Sequence, residues 1–397
     1  VVFRGVVEGF YGKPWSSGCR DSMVSMLAAL DGPAYLYAPK NDPFHRLQWR
    51  ETYPDFAWDE LASTMRLSAD SGVAFHFGIS PWAFASGDAV PLRAKAMRAL
   101  DSGASGLAVL FDDIPDLADA ELARRQLDLA FGALGDMRVP VMLCPSVYCI
   151  ELMESLDGQS YLDAWRESVP QGWRSIWTGD QVVSRELSAA SVERAAALLG
   201  SEPVLWDNLL ADDYCLRRIY LAGLEGRNHA GAGYLVNPSE IEPVALHAVF
   251  RLLQAEGASP AWPETLGNRQ AWALLSRFHH MPWTDATAGE LLVELRSSMQ
   301  YGPSDELLER LSAMQSLLSD FIESLYAVEG GFGLMPYAVD VRKFLYWWGT
   351  ALEKGSAAER LAELDRLAMR RLPYEHPLAA GTLETLLRTN PEEGRGR

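Results

Sequence analysis

Two aspartates, Asp112 and Asp113, follow directly on the apolar run Gly106-Leu-Ala-Val-Leu-Phe111. A short buried strand that ends in adjacent carboxylates brings two like charges together, and at least one of them is expected to have a displaced pKa. Such a pair suits acid–base work, because the charge on one carboxyl makes the proton of the other harder to lose. The same pair also fits a plainer role, as an N-cap and first-turn acid ahead of a helix. Other residues with chemical reach cluster in short segments: Glu8-Gly-Phe-Tyr-Gly-Lys-Pro-Trp15, Ala38-Pro-Lys-Asn-Asp42, Cys144-Pro-Ser-Val-Tyr148, Asp207-Asn208, Asp212-Asp213 and Asn237. Acids, amides, lysine and flat rings are the side chains that hold sugar hydroxyls and sugar faces. Taken singly, each has an ordinary reading. Lys40 fits a solvated surface, Trp206, Trp177 and Tyr148 fit a core, and Asn208 and Asp213 fit helix caps. Asn237 before Pro238 fits a turn. The functional reading rests on their joint placement.

Other chemistries lack their patterns. His45, His76, His229, His247, His279, His280 and His376 show no His-x-His or His-Glu-x-x-His spacing. His279-His280 reads as a helix surface or a bundle contact. No Gly-x-Ser-x-Gly elbow is present for a serine nucleophile. Cys19, Cys144, Cys149 and Cys215 have no zinc-ribbon spacing and read as free, buried thiols. No metal and no cofactor is expected.

The elements that must position these residues recur along the chain. Strand-like runs lie at 3–7, 34–37, 73–78, 107–111, 139–143, 174–177, 204–206 and 233–236. They repeat at intervals of roughly 30–40 residues, the length of a strand with its crossover helix. Apolar residues at three- and four-residue spacing between them predict helices at 22–30, 58–69, 92–100, 120–134, 161–168, 188–199, 214–224 and 243–255. Eight alternations predict an α/β fold with a parallel sheet closed into a (β/α)8 TIM-type barrel, which takes about 250 residues. A doubly wound open sheet is the rival, but no Gly-x-Gly-x-x-Gly follows an early strand. In such barrels the site lies at the carboxyl ends of the strands. Every segment named above falls just after one of the predicted strands.

Strand signals stop near Ser259, where Gly257-Ala-Ser-Pro260 and Trp262-Pro263 read as a turn-rich connection. Helical patterns follow at 288–297, 305–326, 338–353 and 357–371, with Gly330-Gly-Phe-Gly333 as a break. The expected organisation is a catalytic barrel over 1–258, an all-α helical bundle over 259–388 and a disordered tail over 389–397. Phe344-Leu-Tyr-Trp-Trp348 reads as packing within that bundle.

The formal charge of −18 and pI near 4.8 argue against binding nucleic acid or anionic membranes. No apolar run reaches ~18 residues, so no membrane span is expected. The residues given open on Val1-Val2-Phe3-Arg4, without a basic stretch and apolar core of a leader. With few cysteines, this favours a cytoplasmic setting.

Five ordered motifs give a resemblance. Glu8-Gly-Phe-Tyr-Gly-Lys-Pro-Trp15, Tyr35-Leu-Tyr-Ala-Pro-Lys-Asn-Asp42, Phe111-Asp-Asp-Ile114, Trp177-Thr-Gly179 and Trp206-Asp-Asn208 with Asp213-Tyr214 resemble glycoside hydrolase family 84, the O-GlcNAcase and β-N-acetylglucosaminidase family, over residues 3–255. The resemblance implies a retaining exo-glycosidase that removes O-linked GlcNAc from Ser or Thr of proteins. Its mechanism would be substrate-assisted, the sugar's 2-acetamido carbonyl attacking C1 to form an oxazoline in place of a protein nucleophile. Asp112 would orient the acetamido N–H and stabilise the developing charge. Asp113 would be the general acid and then the base, its pKa raised by an ionised Asp112. Tyr148, Trp206 and Asn208 would enclose the acetamido group. Gly9, Lys40, Asp213 and Asn237 would bind sugar hydroxyls, with Tyr11 lining the same end. Two neighbours of these residues depart from the pattern: Asn41 stands where many relatives carry an acid, and Asp212 where Asn is common. The chain as given also starts at the barrel, without the extra N-terminal domain of many bacterial relatives, which hints at a compact intracellular form. Free glycans, cell-wall fragments or mere GlcNAc binding are the competing functions. The helical region offers a surface for a homodimer.

Overall fold

In a computed structural model of the chain, residues 2–113, 117–214, 218–221, 223–224, 227, 231–279 and 289–369 are described. Their contacts divide the chain into two compact units. The first comprises 1–213, 223–240 and 245–260, and the second 214–222, 241–244 and 261–397.

The first unit is the predicted (β/α)8 barrel. Its strands are β1 Phe3–Glu8, β2 Pro33–Tyr37, β3 Ala74–Ile79, β4 Gly106–Leu110, β5 Val141–Cys144, β6 Arg174–Trp177, β7 Val204–Asp207 and β8 Gly233–Val236. Every neighbouring pair is parallel, and β1 closes on β8 with Phe3 opposite Gly233. Between them run α1 Ser17–Leu27, α2 Asp55–Asp70, α3 Ala89–Asp101, α4 Ala120–Leu134, α5 Ile150–Ser155, α6 Gln159–Ser168 and α7 Ala189–Leu199, and α8 Glu242–Ala255 follows β8. The strand expected at 139–143 begins two residues later. Pro140 has no N–H for the ladder, and only its carbonyl pairs, with the Leu107 N–H.

The strands fill the barrel by alternation. Val7, Leu36, Ala108, Leu110, Met142, Cys144, Ile176, Val204, Trp206 and Leu235 belong to one buried cluster, and on each strand that contributes two of them they stand two apart. Alternate residues of β2 and β3 face the other way, as in the stacked pairs Tyr35–Phe75 and Tyr37–Phe77, with ring centroids 5.2 and 5.8 Å apart.

One predicted helix, at 214–224, lies partly outside the described residues. Among the described residues of 214–224 there is no helix. Ile219, Tyr220 and Leu221 are buried in succession, and the Leu221 N–H donates to the His279 carbonyl at 2.9 Å. A run buried on every residue has no solvent face for a helix to present.

The described residues of the second unit are mainly helical. It contains α9 Arg269–Ser276, α10 Gly289–Tyr301, α11 Asp305–Ser324, α12 Gly331–Leu352 and α13 Ala357–Met369. Residues 370–397 lie outside the described residues, and with them the end of the expected bundle and the expected tail. The glycine break is narrower than predicted. Only Gly330, at φ 68°, leaves the helix, while Gly331 and Gly333 lie inside α12. Phe344, Leu345, Trp347 and Trp348 are buried, so this aromatic run packs the unit. His279, edge-on to Tyr337 at 5.6 Å, is a contact inside the same unit; His280 lies outside the described residues. No helix among the described residues is long and apolar enough to cross a membrane.

Candidate active site

The inward parity that fills the barrel also builds its mouth. Gly9 stands two residues beyond Val7, Asp112 two beyond Leu110, Asn208 two beyond Trp206 and Asn237 two beyond Leu235. Side chains two apart on an extended chain share a face. A polar residue placed one inward position past the end of the packed strand therefore comes out above the core.

Asp112 is buried, at 6% exposure. Lys40, itself 6% exposed, is ion-paired to Asp112 Oδ2 and stands over the Trp206 ring, 5.6 Å from its centroid. Burial pushes the pKa of Lys40 down, but the two aspartates together outweigh it and raise the pKa, so Lys40 remains a cation. Among the described residues Asp112 Oδ1 has no hydrogen-bond partner, although it is buried. A carboxylate oxygen left in that state costs free energy, on the order of 1–3 kcal/mol or more.

The amides and the indole form one chain. The Gly9 N–H donates to Asn237 Oδ1 at 3.1 Å, and Asn237 Nδ2 donates to Asn208 Oδ1 at 2.9 Å. Trp206 Nε1 donates to the same Asn208 oxygen at 2.8 Å, and Asn208 Nδ2 donates to the Val182 carbonyl at 2.8 Å. Only glycine fits at position 9, because an added Cβ would overlap the Trp206 ring.

Asp113 is the more open of the pair and adopts φ 55°, a left-handed conformation uncommon outside glycine. Its Oδ2 accepts from the Tyr11 hydroxyl at 2.8 Å and its Oδ1 from the Tyr148 hydroxyl at 3.0 Å. The structure reverses the expected direction of its pKa. Burial pushes it up, but the Lys40 cation, the two phenol donors and Arg46 together hold it below the usual carboxylate value. Burial and the neighbouring Asp113 raise both phenols, so Tyr11 and Tyr148 stay protonated as donors.

A second acidic group flanks the first. Asp213 Oδ2 accepts from the Tyr11 N–H at 2.8 Å. Asp212 is buried and accepts from Ser239 Oγ at 2.7 Å. Burial, with Asp213 and Glu240 nearby, pushes the Asp212 carboxyl up to about 7. The departure from the family pattern at 212 thus puts a weak acid beside a residue expected to bind sugar. Asn41 is exposed.

All ten expected site residues fall into one connected set. Gly9, Asn237, Asn208 and Trp206 are linked by hydrogen bonds, Lys40 joins Trp206 to Asp112, and Tyr11 joins Tyr148, through Asp113, to Asp213. One participant was not foreseen. Arg46 donates to the Tyr11 hydroxyl at 2.8 Å and to the Asp113 carbonyl at 3.0 Å. A loop arginine has no periodicity to mark it, and only its closeness to the Lys40 segment could have drawn attention. Among the described residues no cluster of His, Cys, Asp and Glu is arranged to hold a metal. Cys19, Cys144 and Cys149 are buried free thiols, and Cys215 lies outside the described residues.

A family profile described as beta-N-acetylglucosaminidase matches residues 4–254, the span of the barrel. The chain belongs to the β-N-acetylglucosaminidase family. Its curated relatives include Protein O-GlcNAcase of Rattus norvegicus and Protein O-GlcNAcase of Mus musculus, each 33% identical over 267 residues. Those alignments cover 62% of this chain and 29% of the relative, so the chain spans well under half the length of either. The family is one of glycoside hydrolases, which agrees with a barrel mouth lined by carboxylates, amides and rings.

Proposed function

We propose that this protein is a retaining exo-β-N-acetylglucosaminidase that removes O-linked GlcNAc from Ser or Thr of proteins through an oxazoline intermediate. The observation that carries the reading is Asp112 Oδ1, a buried acceptor without a donor among the described residues, on a carboxylate whose other oxygen is pinned by Lys40. An acetamido N–H is a donor of the kind that oxygen lacks. With that N–H held, the acetamido carbonyl oxygen attacks C1. The C1–O bond to the aglycone breaks, and Asp113 gives its proton to the departing oxygen. The positive charge on the new ring is stabilised by the Asp112 carboxylate. Water then attacks C1, Asp113 takes its proton, and the ring opens with the original anomeric configuration restored.

The low pKa of Asp113 concerns the protein without sugar. A bound GlcNAc that draws the Tyr148 hydroxyl to its acetamido oxygen removes one donor from Asp113 Oδ1. The sugar also shields the carboxyl from water. Both changes raise its pKa, so the proton that the leaving group needs is taken up with the substrate. Adjacency of the two acids suits this division, because both must reach groups on neighbouring carbons of one ring.

The protein aglycone is supported by the relatives' name and nothing finer. The test is direct competition between an O-GlcNAc serine glycopeptide and chitobiose. The reading expects a higher kcat/KM on the glycopeptide; preference for chitobiose assigns the enzyme to free glycans, and no hydrolysis of either or of an aryl GlcNAc leaves only a binding protein.

A further inference from the structure

Two cations of the loop between β2 and α2, Lys40 and Arg46, each go to one aspartate of the pair, while the third, Arg50, pairs with Asp88. Lys40 takes the Asp112 side chain. Arg46 takes Asp113 by a different route. Its Nη2 donates to the Asp113 backbone carbonyl at 3.0 Å, and its Nη1 to the Tyr11 hydroxyl oxygen at 2.8 Å. The guanidinium lies against two rings, 5.6 Å from the Tyr11 centroid and 4.9 Å from that of Trp82. The loop that presents it is anchored independently. Asp42 accepts from the Tyr37 and Tyr53 hydroxyls at 2.6 and 2.7 Å and from the Phe44 N–H at 2.8 Å. The Arg46 N–H donates to the Asp42 carbonyl at 3.3 Å, and the Ser80 N–H to the His45 carbonyl at 2.9 Å.

Two consequences follow from this geometry. Asp113 holds φ 55°, which a residue with a Cβ keeps only when its surroundings fix it, and the bond from Arg46 to its carbonyl is such a restraint. The Tyr11 oxygen already accepts from Arg46, and its single O–H is directed to Asp113 Oδ2. We infer that Arg46 is a positioning residue for the acid–base step: it fixes the backbone of Asp113 and aims the Tyr11 hydroxyl at its carboxyl. This rests on the function proposed above, in which Asp113 exchanges the proton. The planar, two-pronged guanidinium suits the task, since one lysine ammonium does not reproduce both contacts with the ring stacking.

The groups that face the Asp113 carboxyl among the described residues are Lys40, Arg46, Tyr11 and Tyr148, with Asp112 beside it in the chain. Removing the Arg46 charge takes away one influence that favours the carboxylate, so the acid holds its proton to higher pH. The test measures kcat/KM for a series of aryl β-GlcNAc substrates, from dinitrophenyl to unsubstituted phenyl, across pH. In Arg46→Met the loss should be about tenfold or more for phenyl and under about threefold for dinitrophenyl, because acid assistance matters most for poor leaving groups. The alkaline limb should move up by about half a pH unit. In Arg46→Lys the limb should stay near its wild-type position while the discrimination between leaving groups persists. Equal losses across the series with an unmoved limb, or no loss at all, overturn the inference. If Arg46→Met does not fold, the leaving-group comparison in Arg46→Lys decides alone, equal losses again overturning it. A wild-type protein inactive on every aryl GlcNAc would instead sink the proposed function, and this inference with it.

Discussion

Asp207 and Asp112 are both buried aspartates at the ends of barrel strands, and both are paired with a cation. Their surroundings differ in one decisive way. Asp207 Oδ2 accepts from Arg227 Nε at 2.8 Å and the Tyr234 hydroxyl at 2.7 Å, while Oδ1 accepts from Arg227 Nη2 and from the Leu209 N–H at 3.0 Å. Glu8, at the end of β1, is saturated in the same way by Arg20 Nε and Nη2 at 2.9 and 2.8 Å, the Tyr35 hydroxyl and the Trp15 N–H. Among the described residues Asp112 has Lys40 on one oxygen and no partner on the other. Position in the strand explains the split. Asp207 stands between inward Trp206 and inward Asn208, and so faces away from the barrel axis, whereas Asp112 continues the inward series of Ala108 and Leu110. A carboxylate with every lone pair engaged holds structure together. On the function proposed above, one kept buried and incomplete is kept for a donor that comes from outside.

The sharpest way to break this comparison is to neutralise both. Asp112→Asn should lower kcat by about a thousandfold whatever the leaving group, because oxazoline formation itself loses its carboxylate, at a smaller cost in stability because Asp113 remains as a counter-charge for Lys40. Asp207→Asn should instead unfold the barrel more easily, by about 3–5 kcal/mol, since it strands the Arg227 charge in the interior. Denaturant midpoints beside kcat for the two variants decide it; a wild-type midpoint with lost turnover in Asp207→Asn would erase the distinction. A smaller effect separates the two members of the pair. Asp113→Asn should cost about a hundredfold or more on phenyl GlcNAc but only a few-fold on dinitrophenyl GlcNAc. A uniform loss would place the acid elsewhere.

Much of the architecture was legible in the sequence because eight short apolar runs alternate with helical periodicity. The helix at 120–134 was bounded correctly, since Asp119 caps it by accepting the Leu122 N–H and its buried face is regular from the first turn. Helices α1, α2 and α3 begin three to five residues before the predicted 22, 58 and 92. The first turns of α2 and α3 bury little, so the apolar period starts late, while the first turn of α1 buries Cys19 and Arg20, of which the arginine gives no apolar signal. At 214–224 the apolar spacing suggests a helix, but Ile219, Tyr220 and Leu221 are buried on consecutive residues. In the site, the residues on strand ends were readable from parity. What could not be read was their balance of partners. Adjacency of Asp112 and Asp113 predicts a raised pKa, but Lys40, Arg46 and two phenols converge from separate loops and reverse the direction for Asp113.

The most direct test of the account is calorimetric binding of a GlcNAc-derived thiazoline, which copies the bicyclic intermediate, to the wild-type protein and to Asp112→Asn. If Asp112 Oδ1 serves the acetamido nitrogen, the wild type binds the thiazoline at least about a hundredfold more tightly than it binds GlcNAc, and Asp112→Asn loses most of that margin. Equal affinity for the two ligands, or an undiminished margin in the variant, would contradict it.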